Sequence, residues 1–123
     1  MHTIEQTDLR HMIQAYSECA LWASTDDAGA PLDRDYLVSE IAPETRDQMA
    51  EDCREFATDL PVGTMALWSA EQLGHDFWLT RNRHGAGFWD RGHGTLGQML
   101  TARAHGHGSF DLYVGDDGQI HGA

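Results

Sequence analysis

The sequence contains no lysine, so eight arginines supply its fixed positive charge, against 20 aspartates and glutamates. The formal net charge is −12 at pH 7. A chain of this charge repels nucleic acid at long range and is attracted to basic surfaces. We therefore expect no direct binding to nucleic acid and favour a protein partner that presents a basic surface.

Long apolar runs are also missing. No stretch approaches the roughly 18 apolar residues of a membrane span. The first residues, MHTIEQTDLR, lack the basic start and apolar core of a signal peptide. These absences predict no membrane association and a location in the cytoplasm.

Cysteine is scarce, with only Cys19 and Cys53 in the chain. Each falls on the apolar side of a predicted helix, where a reduced thiol behaves as a small hydrophobic side chain. Because a cytoplasmic protein rarely keeps a disulfide, we expect two core thiols.

The length of 123 residues suits a single domain, residues 1–123. Thr3 and Gln6 have the spacing of a capping box, and apolar residues then recur at helical intervals to about residue 23. A second helix is predicted from Pro43 to about Leu60, because proline suits a first helical turn and Pro61 stops the pattern.

The C-terminal half mixes short elements. The apolar run 65–68 is open between strand and helix, and Ser69 begins a helix predicted to reach about Arg81. Residues 88–90 between glycines favour a short strand, a fourth helix starts near Gly94, and residues 109–121 resemble a hairpin. The sum is an α+β domain in which N-terminal helices pack on a small antiparallel sheet from the C-terminal half.

The second predicted helix carries a row of carboxylates at every fourth position. At 1.5 Å per residue they rise about 6 Å apart along one face, and such like-charge pairs disfavour a helix by a few tenths of a kcal/mol each. A basic partner would offset that repulsion; a solvated face that keeps the protein soluble is the alternative. Together with an acidic loop at 24–35, the predicted partner-binding residues are Asp26, Asp27, Asp33, Asp47, Glu51, Asp52, Glu55 and Asp59.

The densest chemistry lies in residues 74–94, GHDFWLTRNRHGAGFWDRGHG. Imidazole and carboxylate are metal ligands, while tryptophan and arginine suit stacked bases and phosphates. The spacing matches no metal or nucleophile motif, so no metal, cofactor or catalytic residue is predicted, and a role as core side chains is the favoured interpretation of the aromatic pairs. The alternative functional cluster is His75, Asp76, Arg81, His84, Trp89, Asp90, Arg91 and His93.

Three runs, ECALWASTDDAGAPLD, GHDFWLTRNRHGAGFWDRG and SFDLYVGDDGQI, resemble a group of small acidic proteins encoded by tailed bacteriophages and prophages. The likeness covers residues 18–33 and about 71–120. Arg83 departs from the group's pattern, which has a small residue there. The resemblance implies expression in the cytoplasm of an infected bacterial host and transfers no catalytic residue.

Small acidic phage proteins commonly act by binding host proteins, an analogy at the level of class. We therefore expect an inhibitor of a host nucleic-acid-handling defence complex, of anti-CRISPR or anti-restriction type. Its partner would be a CRISPR effector or a restriction or nuclease subunit with a basic nucleic-acid-binding surface. The alternative is a small single-stranded nucleic-acid binder or metal-dependent enzyme that uses the cluster at residues 75–93.

Overall fold

Five α-helices and a two-stranded antiparallel sheet form the described chain, residues 4–85 and 87–123 of a computed structural model. The helices are α1 (Gln6–Ala23), α2 (Pro43–Phe56), α3 (Thr64–Leu67), α4 (Ala70–Arg81) and α5 (Gly94–Gly106). Short 3-10 helices occupy Leu32–Arg34, Val38–Glu40 and Phe88–Arg91. The sheet pairs β1 (Leu112–Val114) with β2 (Ile120–Gly122). The predicted α+β class, with helices first and the sheet near the C-terminus, is confirmed.

The centre of the fold is the contact between α1 and α4. The predicted apolar stripe of α1 is confirmed, with Met12, Tyr16 and Ala20 fully buried. The predicted capping box opens α4: Ser69 Oγ accepts from the Gln72 backbone N–H at 3.1 Å, and Gln72 Oε1 accepts from the Ser69 N–H at 3.1 Å. The capping box expected at the start of α1 depends on Thr3, which lies outside the described residues.

Helix α2 begins at Pro43 as predicted and buries Met49, Cys53 and Phe56 completely. The helix ends at Phe56, earlier than predicted, although Leu60 is still buried. Both cysteines are free and buried, as expected. Burial, with a smaller contribution from Asp76, raises the pKa of Cys19 to about 12, so its thiol stays protonated and unreactive near neutral pH.

One secondary-structure prediction in the C-terminal half is wrong. Residues 88–90 form part of the 3-10 helix Phe88–Arg91, not a strand. The turn is fixed by Thr80, whose hydroxyl accepts from the Phe88 backbone N–H at 3.2 Å and sits where a Cβ on Gly87 would have to go. The run that sequence left open is helical, as α3.

The sheet joins the helices at the start of α2. The Ala42 N–H donates to the Ile120 carbonyl at 2.8 Å, and the Gly122 N–H donates to Thr45 Oγ1 at 3.2 Å. The predicted hairpin is confirmed, with Val114 opposite Ile120 and a turn through Gly118 at φ 78°. The sheet thus packs against the helices through the N-terminal end of α2.

Among the helices of the described chain, none combines the length and the apolar character that crossing a bilayer requires.

The close approach of α1 to α4 generates a prediction. A Cβ at Gly74 would overlap the Met12 carbonyl oxygen and lie 2.9 Å from the Tyr16 backbone nitrogen. Because backbone cannot move aside cheaply, Gly74→Ala should lower the free energy of unfolding in urea by about 3 kcal/mol. The control is Gly106→Ala, also in a helix but with no atom within 4 Å of the added Cβ. Equal stability of the two variants would contradict this packing.

Candidate functional site

The acidic face of this protein consists of Asp47, Glu51 and Glu55 on α2 and Asp59 just beyond it. All four side chains are exposed, as predicted. One arginine on the same helix, Arg54, forms an exposed ion pair with Glu51. Arg46 is also exposed on α2, so these two arginines compensate the row in part.

Arg103 of α5 holds the segment that follows α2. Its Nη1 donates to the Phe56 carbonyl at 2.8 Å and to the Thr58 carbonyl at 2.7 Å, and its Nη2 donates to the Asp59 carbonyl at 2.9 Å. Phe56 is the last residue of α2, so a cation bound to its carbonyl and to the two that follow the helix complements the dipole of α2. Arg103 therefore fixes the C-terminal end of the acidic face.

Asp52 was predicted to bind the partner together with these four residues, and the structure corrects this placement. Its side chain turns inward and the residue is only 7% exposed. Asp52 Oδ2 accepts from Arg81 Nη1 at 2.8 Å, and Oδ1 accepts from Gln48 Nε2 at 2.8 Å. The carboxylate is occupied within the fold and does not lie on the acidic face.

Arg81 itself, predicted as part of the alternative cluster, is buried where four segments meet. Beside the bond to Asp52, Nη1 donates to Tyr16 Oη at 3.0 Å. Nε and Nη2 donate to the carbonyls of Gly108 and His107, at 2.8 and 3.2 Å. The guanidinium also lies 5.4 Å from the ring centres of Phe77 and Phe110.

The surroundings of Arg81 alter the acidity of its neighbours. Burial raises the pKa of Tyr16 above its usual range even though the positive charge of Arg81 opposes the rise. Burial, and then the charge of Arg81, lowers the pKa of His107. Tyr16 and His107 are therefore neutral at neutral pH and act here as packing and hydrogen-bonding groups.

Asp76 forms a second buried site, and its side chain is fully inaccessible. Its Oδ2 accepts from Trp68 Nε1 at 2.9 Å and from Arg91 Nε at 2.8 Å, while Oδ1 accepts from Arg91 Nη2 at 2.8 Å. His75 Nδ1 lies 3.4 Å from Oδ1. The paired arginine and the indole satisfy the carboxylate, which leaves it no access to a substrate.

The rest of the alternative cluster is dispersed. Trp89 is 64% exposed and lines, with His84, a small cavity of about 230 Å³. His93 lies against the ring of Trp68, with centroids 4.8 Å apart. Asp90 is exposed on the 3-10 helix. Of the four aromatic rings in the two Phe-Trp pairs, Phe77, Trp78 and Phe88 belong to the core.

One group of side chains in the described part of the chain has the spacing of a metal site. The ligand atoms of Asp52, Glu55 and His107 lie within 4.8 Å of one another. None of these is a histidine or aspartate of residues 74–94. The positive charge of Arg81 at Asp52 opposes a bound cation, so the geometry favours the ion pair over a metal.

In the acidic loop, one predicted partner-binding residue has a structural role and the other two are exposed. Asp26 Oδ1 accepts from the backbone N–H groups of Ala28 and Ala30, both at 2.9 Å, and so orders its own turn. Asp27 and Asp33 are exposed. Asp33 borders a cleft between α1 and α4.

This cleft, of about 560 Å³, was not predicted from the sequence. Its mostly apolar wall includes Trp22 at the end of α1, which is 58% exposed. Carboxylates line it from three elements, namely Glu18 of α1, Glu71 of α4 and Asp33. The sequence signal was the tryptophan on the polar side of α1, outside the apolar stripe.

The buried carboxylate of Asp76 yields a prediction. Asp76→Asn keeps the shape but removes the charge that compensates Arg91, so the free energy of unfolding should fall by about 2–3 kcal/mol. In the same helix, Glu71→Gln removes an exposed carboxylate and should change stability by less than about 0.5 kcal/mol. Urea unfolding measures both variants; a neutral Asp76→Asn would show that the pair does not hold the fold.

Comparisons of the chain with protein-family models, with curated proteins and with solved structures find no match.

Proposed function

We propose that this protein is a phage-encoded inhibitor that binds a host nucleic-acid-handling defence complex through its acidic face. The partner is a CRISPR effector or a restriction or nuclease subunit, engaged at the basic surface on which it holds DNA or RNA. Inhibition follows from steric and electrostatic occlusion of that surface. No bond is made or broken, and the protein acts in the cytoplasm of the infected bacterium.

The observation that carries the proposal is the exposed row of Asp47, Glu51, Glu55 and Asp59. Unlike Asp52 and Asp76, which are buried, these side chains lie in solvent. Three of these residues lie along α2, and Arg103 fixes the segment after the helix that carries Asp59. Carboxylates positioned in this way are suited to a groove whose basic side chains are spaced for phosphates.

The net charge of −12 gives the protein a negative external field, which its exposed arginines offset only in part. Arg81 and Arg91 are paired with the buried carboxylates Asp52 and Asp76, and Arg103 is bound to backbone carbonyls. With no lysine in the chain, the exposed positive charge comes mainly from the remaining arginines, Arg10, Arg34, Arg46, Arg54 and Arg83. Such a field accelerates encounter with a basic partner and suppresses binding to nucleic acid.

The alternative functions have less support. A base-stacking platform needs accessible rings, whereas Phe77, Trp78 and Phe88 are buried. A metal-dependent enzyme built on residues 75–93 needs convergent ligands, whereas Asp76 is bound by Arg91 and His84 lies elsewhere. The side chains of the acidic face, by contrast, are exposed and available to a partner.

Charge reversal tests the proposal. Asp47→Arg with Glu55→Arg changes two exposed positions on the acidic face, and Asp111→Arg with Asp116→Arg makes the same change in charge near the hairpin. Each protein is used to capture partners from a lysate of a bacterium that carries restriction and CRISPR systems, with identification by mass spectrometry. Wild type and the hairpin control should recover a nuclease, effector or restriction subunit, and the α2 variant should lose it by at least tenfold.

The captured complex is then assayed for nucleic-acid binding with increasing wild-type protein, which should compete with DNA or RNA. Raising the salt concentration should weaken the inhibition steeply, because exposed charges are screened. Undiminished capture by a folded α2 variant, or a complex that still binds its nucleic acid, would overturn the proposal.

A further inference from the structure

A second recognition feature is the cleft between α1 and α4, whose lining residues differ from those of the acidic face. We propose that this cleft binds an arginine side chain of the partner protein, with the guanidinium over the Trp22 indole and among the carboxylates of Glu18, Asp33 and Glu71. This inference rests on the proposed function, since a basic nucleic-acid-binding surface supplies exposed arginines.

The first support is the position of Trp22. More than half of this large apolar side chain is in solvent, at 58% exposure, although the core of the same helix is fully buried. Its ring lies near the imidazole of His75, with centroids 6.2 Å apart and planes inclined by 31°. The indole is therefore held against α4 and lines an open cleft. Tryptophan in such a position is a preferred surface for a flat cation.

The second support is the charge around the cleft. Glu18, Asp33 and Glu71 approach from α1, from the 3-10 helix Leu32–Arg34 and from α4. Arg91 also lines the cleft, but both oxygens of the buried Asp76 accept its N–H groups. Outside the cleft lining, His11 Nδ1 lies 3.8 Å from Glu71 Oε1. The cleft therefore carries an excess of negative charge beside an aromatic surface.

The third support is the shape and the wall. A volume of about 560 Å³ falls within the range of roughly 300–1,000 Å³ that ligand sites occupy. Ala15 and Cys19 provide apolar contact for the methylene groups of a long side chain. Arginine fits this combination better than lysine, because its planar guanidinium stacks on an indole and donates to two carboxylates at once.

The test uses a blocked peptide, acetyl-Gly-Arg-Gly-amide, and matched peptides with citrulline or lysine in place of arginine. Citrulline keeps the shape but removes the charge. Nuclear magnetic resonance of the isotope-labelled protein follows the indole N–H signals, which are assigned by single Trp→Phe variants. The indole signal of Trp22 should shift with the arginine peptide until the site is saturated, while the signal of Trp89 stays in place. The affinity for the citrulline peptide, taken from the same titration, should be at least tenfold lower.

Two variants locate the site. Trp22→Leu, or Glu18→Gln together with Glu71→Gln, should lower the affinity for the arginine peptide at least tenfold. Trp89→Leu, at the other exposed tryptophan, should leave the affinity for the arginine peptide unchanged. Equal affinity for citrulline, equal affinity for lysine, or no shift at Trp22 would each overturn the inference. Because no partner is used, those results leave the proposed function to be decided by the charge reversals on α2.

Discussion

The arrangement of this fold depends on the hydrogen bonds and the ion pair that the buried guanidinium of Arg81 makes. The guanidinium contacts Tyr16 of α1, Asp52 of α2 and the two carbonyls that follow α5, so four segments distant in sequence meet at one side chain. A buried cation is costly unless its donors are satisfied, and removal of one partner would leave an uncompensated charge. That requirement sets how α1, α2 and α4 pack, and it draws Asp52 away from the surface.

A second buried pair performs the same task at the other side of α4. Asp76 binds Arg91 and Trp68. These contacts connect α4 to the 3-10 helix Phe88–Arg91 and to the residue that follows α3. The sequence stretch that is richest in reactive residue types thus supplies much of the interior polar framework. Two of its arginines, Arg81 and Arg91, pair with buried carboxylates there, whereas Arg83 is exposed. The exterior carries the exposed carboxylates and two exposed tryptophans, Trp22 and Trp89.

Much of the local structure was predictable because it follows from short-range rules. The apolar stripes of α1 and α2, the capping box at Ser69 and the turn chemistry around Gly118 each act over a few residues. The prediction for residues 88–90 was wrong because their conformation depends on a tertiary contact, in which Thr80 Oγ1 accepts from the Phe88 N–H. Short-range rules do not include such a contact. Alternating glycines allow a strand and a 3-10 helix equally well.

The site was predictable in part. Asp47, Glu51 and Glu55 are exposed along α2 as their spacing indicates. Asp59 is exposed too, but it was wrongly placed on the helix, because α2 ends at Phe56 and Asp59 has a left-handed φ of 51°. Asp52 carried a contrary signal, because it lies three residues after Met49 and four before Phe56, on the buried stripe of α2. Its partner Arg81, 29 residues later, was beyond any spacing rule. The cleft at Trp22 was missed for the same reason, since residues of four separate elements line it.

The most direct measurement is a double-mutant cycle between Asp52 and Arg81. Asp52→Leu, Arg81→Met and the double variant are compared with wild type by urea unfolding. If the buried pair holds the fold, each single change lowers the free energy of unfolding strongly, and the double change costs less than their sum by about 2–3 kcal/mol. Additive losses, with a coupling energy below about 0.5 kcal/mol, would show that the two side chains do not depend on each other and would contradict the account.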